Sequence, residues 1–300
     1  MSCETVATPV DLPLRIGART IARIRRRLVR FSVPLEQALT DGSVSLPGLA
    51  PRADGYYIRA LPAALKGQMG AEAGMRCFER QAYPRHYADL SRGYDDYLAS
   101  FSAKSRSALK RKRRKLEERS GGTLDVRSYR TPHEVEIFYR EARALSALTY
   151  QERLLDAGLP EGALAEMREL AAENQVRAFL LFVDGRAVSY LYAPASGLTL
   201  RYAYLGYDPA FADLSAGTVL QMEAMRMLMQ ESVFRWFDFT EGDGQHKRQF
   251  ATGAIESVDL LLLRPTVANI AAAGALSVWD GAITYAKRAG LKSIARPFRR

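Results

Sequence analysis

Ser215, Ala216 and Gly217 stand where a strand expected to end at Tyr207 gives way to a helix expected over Ser215–Gln230. A helix start leaves backbone N–H groups without intrahelical partners and carries the positive end of the macrodipole. This turn is therefore a ready-made anion site. A second anion-gripping element is Lys110–Lys115, six basic residues in a row that would hold phosphates on any polyanion. No aromatic side chains interleave with that run, so nothing in it argues for reading bases. Cys3 and Cys77 are too few and too far apart to frame a disulfide scaffold or to make a zinc site. No metal is expected, and a reducing compartment fits best.

The elements that must position these residues follow an alternating order. Thr131 caps a helix over Pro132–Leu145, with Glu134 completing a capping box. A second helix is expected over Pro160–Glu173. Strands over Arg177–Val183, Ala187–Ala193 and Leu198–Tyr207 are joined by Asp184-Gly185 and Ser196-Gly197, and Asp-Gly between alternating apolar residues is a strong hairpin signal. The anion-site helix comes next, then a strand over Phe234–Phe239, a polar loop over Thr240–His246, a short helix, and a strand over Ile255–Leu263.

Before this block, Tyr94–Ser100 and Lys104–Glu118 read as two helices, the second polar nearly all round. Residues 40–93 are rich in Gly, Pro and turn pairs, with short strand-like pieces at Tyr56–Leu61 and Met75–Arg80. They predict a small, irregular β-containing lobe. Ile16, Ile21, Ile24, Leu28 and Phe31 recur at helical spacing among arginines, which predicts a basic amphipathic helix that either docks on the body or lies on a membrane surface. The expected domains are therefore 1–93 (basic helix and β-containing lobe), 94–265 (the alternating block) and 266–300 (a basic amphipathic helix).

The net charge of +10 is uneven. Arg15–Arg30, Phe101–Arg119 and Lys287–Arg300 together hold more positive charge than the whole chain, so the remainder is acidic. Basic segments of this kind attract nucleic acid, anionic lipid headgroups or the phosphates of a co-substrate. No apolar stretch near the start has the form of a secretory signal. Thr266–Tyr285 is mostly alanine and glycine and is interrupted by Asp280, so it reads as a packed or interfacial helix and not a span. A cytoplasmic protein, peripheral on the inner membrane, is the expectation.

The ordered motifs Tyr94-Asp95-Asp96-Tyr97-Leu98, Tyr204-Leu205-Gly206-Tyr207-Asp208, Leu214-Ser215-Ala216-Gly217 and Asp238-Phe239, Gly242, Lys247 resemble the GNAT acyltransferase superfamily. More narrowly, they look like its CelD-like, FemAB-related subgroup, to which bacterial ceramide synthases belong. The resemblance covers roughly residues 94–263. It implies an α/β (α+β) fold with a central mixed, mostly antiparallel sheet flanked by helices, the N-terminal lobe being a degenerate GNAT repeat.

It also implies acyl transfer from acyl-CoA, as co-substrate, to an amine. That chemistry needs a holder for the thioester, donors for the oxyanion and a route for the amine proton. On the resemblance, the strand ending at Tyr207 splays from the one ending at Phe239 and the pantetheine arm lies in the gap. Leu205 and Gly206 would serve the oxyanion, Ser215, Ala216, Gly217 and Thr218 would meet the pyrophosphate, and Lys247 or Arg248 would add a charge-assisted phosphate contact. Asp238 is the first candidate proton acceptor, followed by Glu241 and His246, while Tyr207 could return a proton to the thiolate.

Three of these residues carry plainer readings. Asp238 could cap the following loop or pair with Lys247, and a lone histidine such as His246 is commonly structural. Tyr202, Tyr204 and Tyr207 could be strand packing. Met222, Met225 and Met229 share one helix face, suited to core or to a channel for a long acyl chain. The amine acceptor could be an amino lipid or sphingoid base at an anionic membrane. The alternatives are a FemABX-like aminoacyltransferase drawing on aminoacyl-tRNA, and a non-catalytic GNAT-like protein of envelope polysaccharide biosynthesis.

Overall fold

A computed structural model describes residues 6–16, 19–40, 42–71, 74–149 and 158–288. In chain order these residues form β1 (Thr8–Ile16), β2 (Arg19–Ser32), α1 (Leu35–Leu39), β3 (Gly55–Pro62), α2 (Lys66–Ala71), β4 (Arg76–Asp89), α3 (Tyr94–Ala99) and α4 (Ala103–Arg119). Next come β5 (Asp125–Tyr129), α5 (Pro132–Leu148), α6 (Leu164–Ala172), β6 (Val176–Val183), β7 (Arg186–Ser196), β8 (Thr199–Arg201) and β9 (Tyr204–Tyr207). A 3-10 turn over Pro209–Leu214 leads into α7 (Ala216–Glu231), followed by β10 (Trp236–Asp238), α8 (Gln245–Phe250), β11 (Gly253–Leu263) and α9 (Val267–Arg288).

The chain divides into two compact units, one made of residues 1–84 with 255–300 and the other of Arg85–Ala254. This differs from the three consecutive segments expected. The first boundary falls inside β4 and the second inside β11, and the C-terminal helix α9 belongs with the N-terminal residues.

In the first unit the strand order is β1-β2-β3-β11-β4, with β2 and β3 parallel and β1/β2 and β3/β11 antiparallel. The amphipathic helix expected over Leu14–Phe31 is corrected here: β1 and β2 pair as a hairpin in which Leu12 faces Ile24 and Thr8 faces Leu28. Val10, Leu12 and Leu28 are buried with Ile24 and Leu14 packed beside them. Arg26 shares that face and breaks the apolar alternation, its guanidinium donating to the Ala268 carbonyl at 2.7 Å. A strand pattern with one snorkelling arginine thus mimics helical spacing. The lobe over 40–93 contributes real sheet. Part of the basic segment Lys287–Arg300 lies outside the described residues.

One polar side chain locks this sheet. Asp259 is fully buried at a register shift between β11 and β3, where Ala60 adopts φ 55°. The Ala60 N–H donates to its carboxylate at 2.9 Å, Gln81 Nε2 at 2.8 Å and the Tyr83 hydroxyl at 3.0 Å. The bulge needs a local acceptor, and Asp259 supplies it.

In the second unit the order is β4-β10-β8-β7-β6-β5, with β9 also paired to β7. The sheet is mixed and mostly antiparallel, as expected, β8/β10 being its parallel pair. Every residue of β6 is buried. Such a strand needs cover on both faces. One face packs against α3, α4 and α7, through Tyr97, Leu109, Leu116, Val219, Met222 and Met225. The other packs against α5 and α6 through Val135, Phe138, Ala142 and Met167. The capping box at Thr131 and Glu134 is present. Met222, Met225 and Met229 are core residues of the first of these clusters.

Candidate active site

The second unit's sheet opens at one place. β8 runs parallel to β10, pairing Thr199 with Trp236 and Arg201 with Asp238, and the Tyr202 N–H still reaches the Asp238 carbonyl at 2.8 Å. Beyond Ala203 the chain continues as β9, which pairs with β7 and not with β10. One edge of β9 is thereby freed, which is the splay expected between the strands ending at Tyr207 and Phe239. The Asp208 N–H donates to Val188, so by antiparallel alternation Gly206 turns its amide to β7 while Leu205 and Tyr207 turn theirs outward.

A cavity of about 580 Å³ lies along that edge. It is lined by Leu205, Gly206, Tyr207, Pro209, Ala212, Ser215, Ala216, Gly217, Thr218 and Gln221, with Thr149, Tyr202, His246 and Phe250 on the remaining sides. Eight of the twelve residues singled out from sequence therefore meet in one place. Gly206 is required for packing: a Cβ there would sit 2.4 Å from the Tyr190 ring. Gly217 is tight as well, since a Cβ would lie 3.0 Å from the Leu205 side chain. Of the two residues expected to serve the oxyanion, Leu205 turns its amide outward and Gly206 turns its amide to β7.

Ser215 joins the 3-10 turn to α7 in a left-handed conformation, φ 54° and ψ 39°. A non-glycine residue rarely adopts this region, and it persists where the surroundings hold it. The first intrahelical bonds run from Thr218 and Val219 to the Ser215 carbonyl, so the Ala216 and Gly217 amides precede the ladder. The first turn holds no acidic residue to compete with an anion.

His246 reaches the cavity from α8, its ring 5.7 Å from that of Tyr202. Burial, helped by neighbouring Lys247, pushes its imidazole below the usual 6.5, which favours the neutral form. Burial pushes the Tyr202 phenol far up, so it stays a proton donor. α8 is anchored from outside the cavity: the buried Tyr97 hydroxyl donates to the Phe250 carbonyl at 2.7 Å. The loop before it is fixed by His86 and Arg248, which both hold Asp243.

The other four singled-out residues stand away from the cavity lining. Asp238 is buried in a bidentate ion pair with Arg85, at 2.6 Å for the shortest contact, and also accepts from the Thr240 N–H at 2.8 Å. The structure therefore places Asp238, the first candidate proton acceptor, in an ion pair that also caps the following loop, and not on the cavity wall. The partner is Arg85, not Lys247. Glu241 is exposed on the loop. Lys247 is turned back to the Glu241 carbonyl, with burial lowering its pKa. Arg248 is held by Asp243.

Sequence reasoning passed over Thr149, Pro209, Ala212, Gln221 and Phe250 as site residues, and took Tyr202 for packing alone. Gln221 carried a signal: it is a polar residue within the run Val219, Leu220, Met222, Ala224 and Met225, all of which are buried. Among the described residues no group of His, Cys, Asp or Glu could hold a metal ion, and no helix is long and apolar enough to cross a membrane.

Residues 103–248 match the model of the acetyltransferase (GNAT) domain family, a span containing every lining residue except Phe250. No curated protein matches the chain. Among solved structures, FemX is similar in fold at 13% identity and a TM-score of 0.55, over 86% of this chain and 88% of that one. The C-terminal domain of a protein named as a lysylphosphatidylglycerol synthetase from Agrobacterium fabrum aligns at 14% identity and a TM-score of 0.49, over 72% and 70%. L-PGS from Bacillus licheniformis aligns at 12% and 0.46, over 74% and 73%.

Proposed function

We propose that this chain, an acyltransferase with a GNAT domain over residues 103–248, transfers an acyl group from acyl-CoA to an amine in the cavity between β9 and α7. The observation that carries the reading is the coincidence of a freed strand edge with an uncompensated helix start on one cavity wall. The edge supplies outward N–H groups of Leu205 and Tyr207 for the thioester oxygen. The start of α7, at Ala216 and Gly217 with Thr218, supplies the complement to a phosphate.

In this reading the amine nitrogen attacks the thioester carbonyl carbon, and charge develops on an oxygen that the β9 edge can stabilise. The amine's proton passes to His246, whose neutral imidazole is the cavity's most suitable acceptor. The carbon–sulfur bond then breaks, and the thiolate takes a proton from the Tyr207 hydroxyl, which solvent replenishes because Tyr207 is 42% exposed. Lys247 and Arg248 remain candidates for an outer phosphate contact if a ligand draws them from their present partners.

For the acceptor, an amine at an anionic membrane surface, such as an amino lipid or sphingoid base, agrees with the exposed arginines of β2 and with a location on the cytoplasmic side of the inner membrane. Polybasic segments gain about 1 kcal/mol per Lys or Arg near anionic lipid. A second reading, aminoacyl transfer from aminoacyl-tRNA as in FemABX-like enzymes, is favoured by the fold likeness to FemX along most of the chain. On that second reading the N-terminal lobe over residues 40–93 is the remnant of a first GNAT repeat.

The test is a transfer assay with radiolabelled acetyl-CoA, palmitoyl-CoA and charged tRNA, each offered with sphinganine and with a soluble amine. Turnover with a CoA thioester supports the first reading. Turnover with charged tRNA alone would replace it by the second.

A further inference from the structure

Gln221 is 2% exposed and lines the cavity, yet neither its carboxamide nitrogen nor its oxygen has a hydrogen-bond partner among the described residues. A buried amide left unpaired on both sides is costly, and one that lines a cavity is open to completion by a ligand. The cavity's polar side chains, Thr149, Tyr202, Thr218 and His246 among them, do not bond it. Position adds direction. Gln221 lies six residues past Ser215, about 9 Å along the helix axis at 1.5 Å per residue. Its side chain leans back over the preceding turn, so it faces a part of the ligand inward of any phosphate at the helix start.

We infer that Gln221 is a ligand-reading residue: its carboxamide pairs with a neighbouring hydrogen-bond donor and acceptor on the bound substrate, an amide-like group buried in the cavity. The inference rests on the proposed acyl-transfer reading. Two parts of a thioester donor carry that chemistry, the amides of its pantetheine arm and a hydrogen-bonding substituent on the acyl chain. A saturated hydrocarbon in contact with Gln221 would leave both carboxamide atoms unsatisfied, so the cavity selects against it at this point.

Gln221→Leu and Gln221→Glu are compared with the wild type in three measurements: melting temperature, affinity for pantetheine and for CoA by calorimetry, and transfer rates from acetyl-, palmitoyl- and 3-hydroxyacyl-CoA. The leucine variant is expected to melt several degrees higher without ligand, because an unpaired polar group is gone. It should also lose tenfold or more in either pantetheine and CoA affinity, which assigns the arm, or in the 3-hydroxyacyl rate alone, which assigns the acyl chain. Glutamate keeps the acceptor and loses the amide donors, so it should retain only part of the recognition.

A leucine variant that is folded and unchanged in all affinities and relative rates would overturn the inference. A wild type that uses no thioester and binds neither CoA nor pantetheine would overturn both the acyl-transfer reading and Gln221's role in it. Thioester turnover with an indifferent Gln221 would leave that reading standing and remove only this residue.

Discussion

Asp238 and His246 stand in different surroundings, one in a buried ion pair and the other on the cavity wall. Asp238 is held by Arg85, both side chains 6% exposed, so removing one charge leaves the other buried and unpaired. Breaking such a pair costs roughly 3–5 kcal/mol. Asp238→Asn is therefore expected to unfold at markedly lower denaturant, and chemical denaturation checks it. An unchanged midpoint with lost turnover would instead return Asp238 to the chemistry. His246 makes the opposite prediction. Its pKa is lowered in the folded protein, so the neutral base survives acidification past 6.5 and the acid limb of kcat/KM should fall below that value. The unfolded chain takes up the proton first as pH falls, so the same group also weakens stability on the acid side. His246→Asn should remove the acid limb and most of the rate, with little change in melting temperature.

These two residues show where sequence reading stops. Asp238, Lys247 and His246 sit within one short motif and look equivalent there, but only His246 lines the cavity. The difference is made by Arg85, more than 150 residues away in sequence, which no local pattern connects to Asp238. Gln221 was legible in principle as a polar residue on an apolar helix face. Its lack of partners was not, because that is a property of the whole packed surroundings.

At the scale of elements, local signals were strong where one residue fixes a backbone choice. The Thr131 and Glu134 box, the Asp184-Gly185 hairpin with positive φ at both residues, and the break before α7 all follow from such signals. The signals failed for β2, where Arg26 occupies an apolar-face position and its guanidinium reaches the Ala268 carbonyl. Spacing alone then favours a helix. The register of β3 and β11 depends likewise on a long-range device, the Asp259 carboxylate filling the bulge at Ala60. Asp259→Ala is expected to destabilise the protein by about 3 kcal/mol or more, since several buried donors lose their acceptor. Hydrogen exchange should show the loss concentrated in β3 and β11. Uniform protection across the first unit would count against this role.

At the scale of the molecule, charge and site are separable. The +10 excess sits in segments remote in sequence from the cavity residues, and α4 spends much of its own share internally. Arg113 pairs with Glu117 and Glu223, Arg114 with Glu118, Lys115 with Asp213 and Arg119 with Asp184. The run Lys110–Lys115 is therefore less free to grip a polyanion than its composition suggests. The two-unit division was the least legible feature, because its boundaries fall inside β4 and β11 and no Gly- or Pro-rich linker marks them.

The central claim, that the start of α7 and the freed edge of β9 hold a CoA thioester, is tested most directly by calorimetric titration of acetyl-CoA into the wild type and into Thr218→Glu. The substitution places a negative charge in the first turn of α7, where it opposes a phosphate and should leave the helix itself stable. Saturable binding by the wild type, weakened tenfold or more in the variant at low salt, is the expected result. No binding by the wild type, or equal affinity in both proteins, would contradict the site.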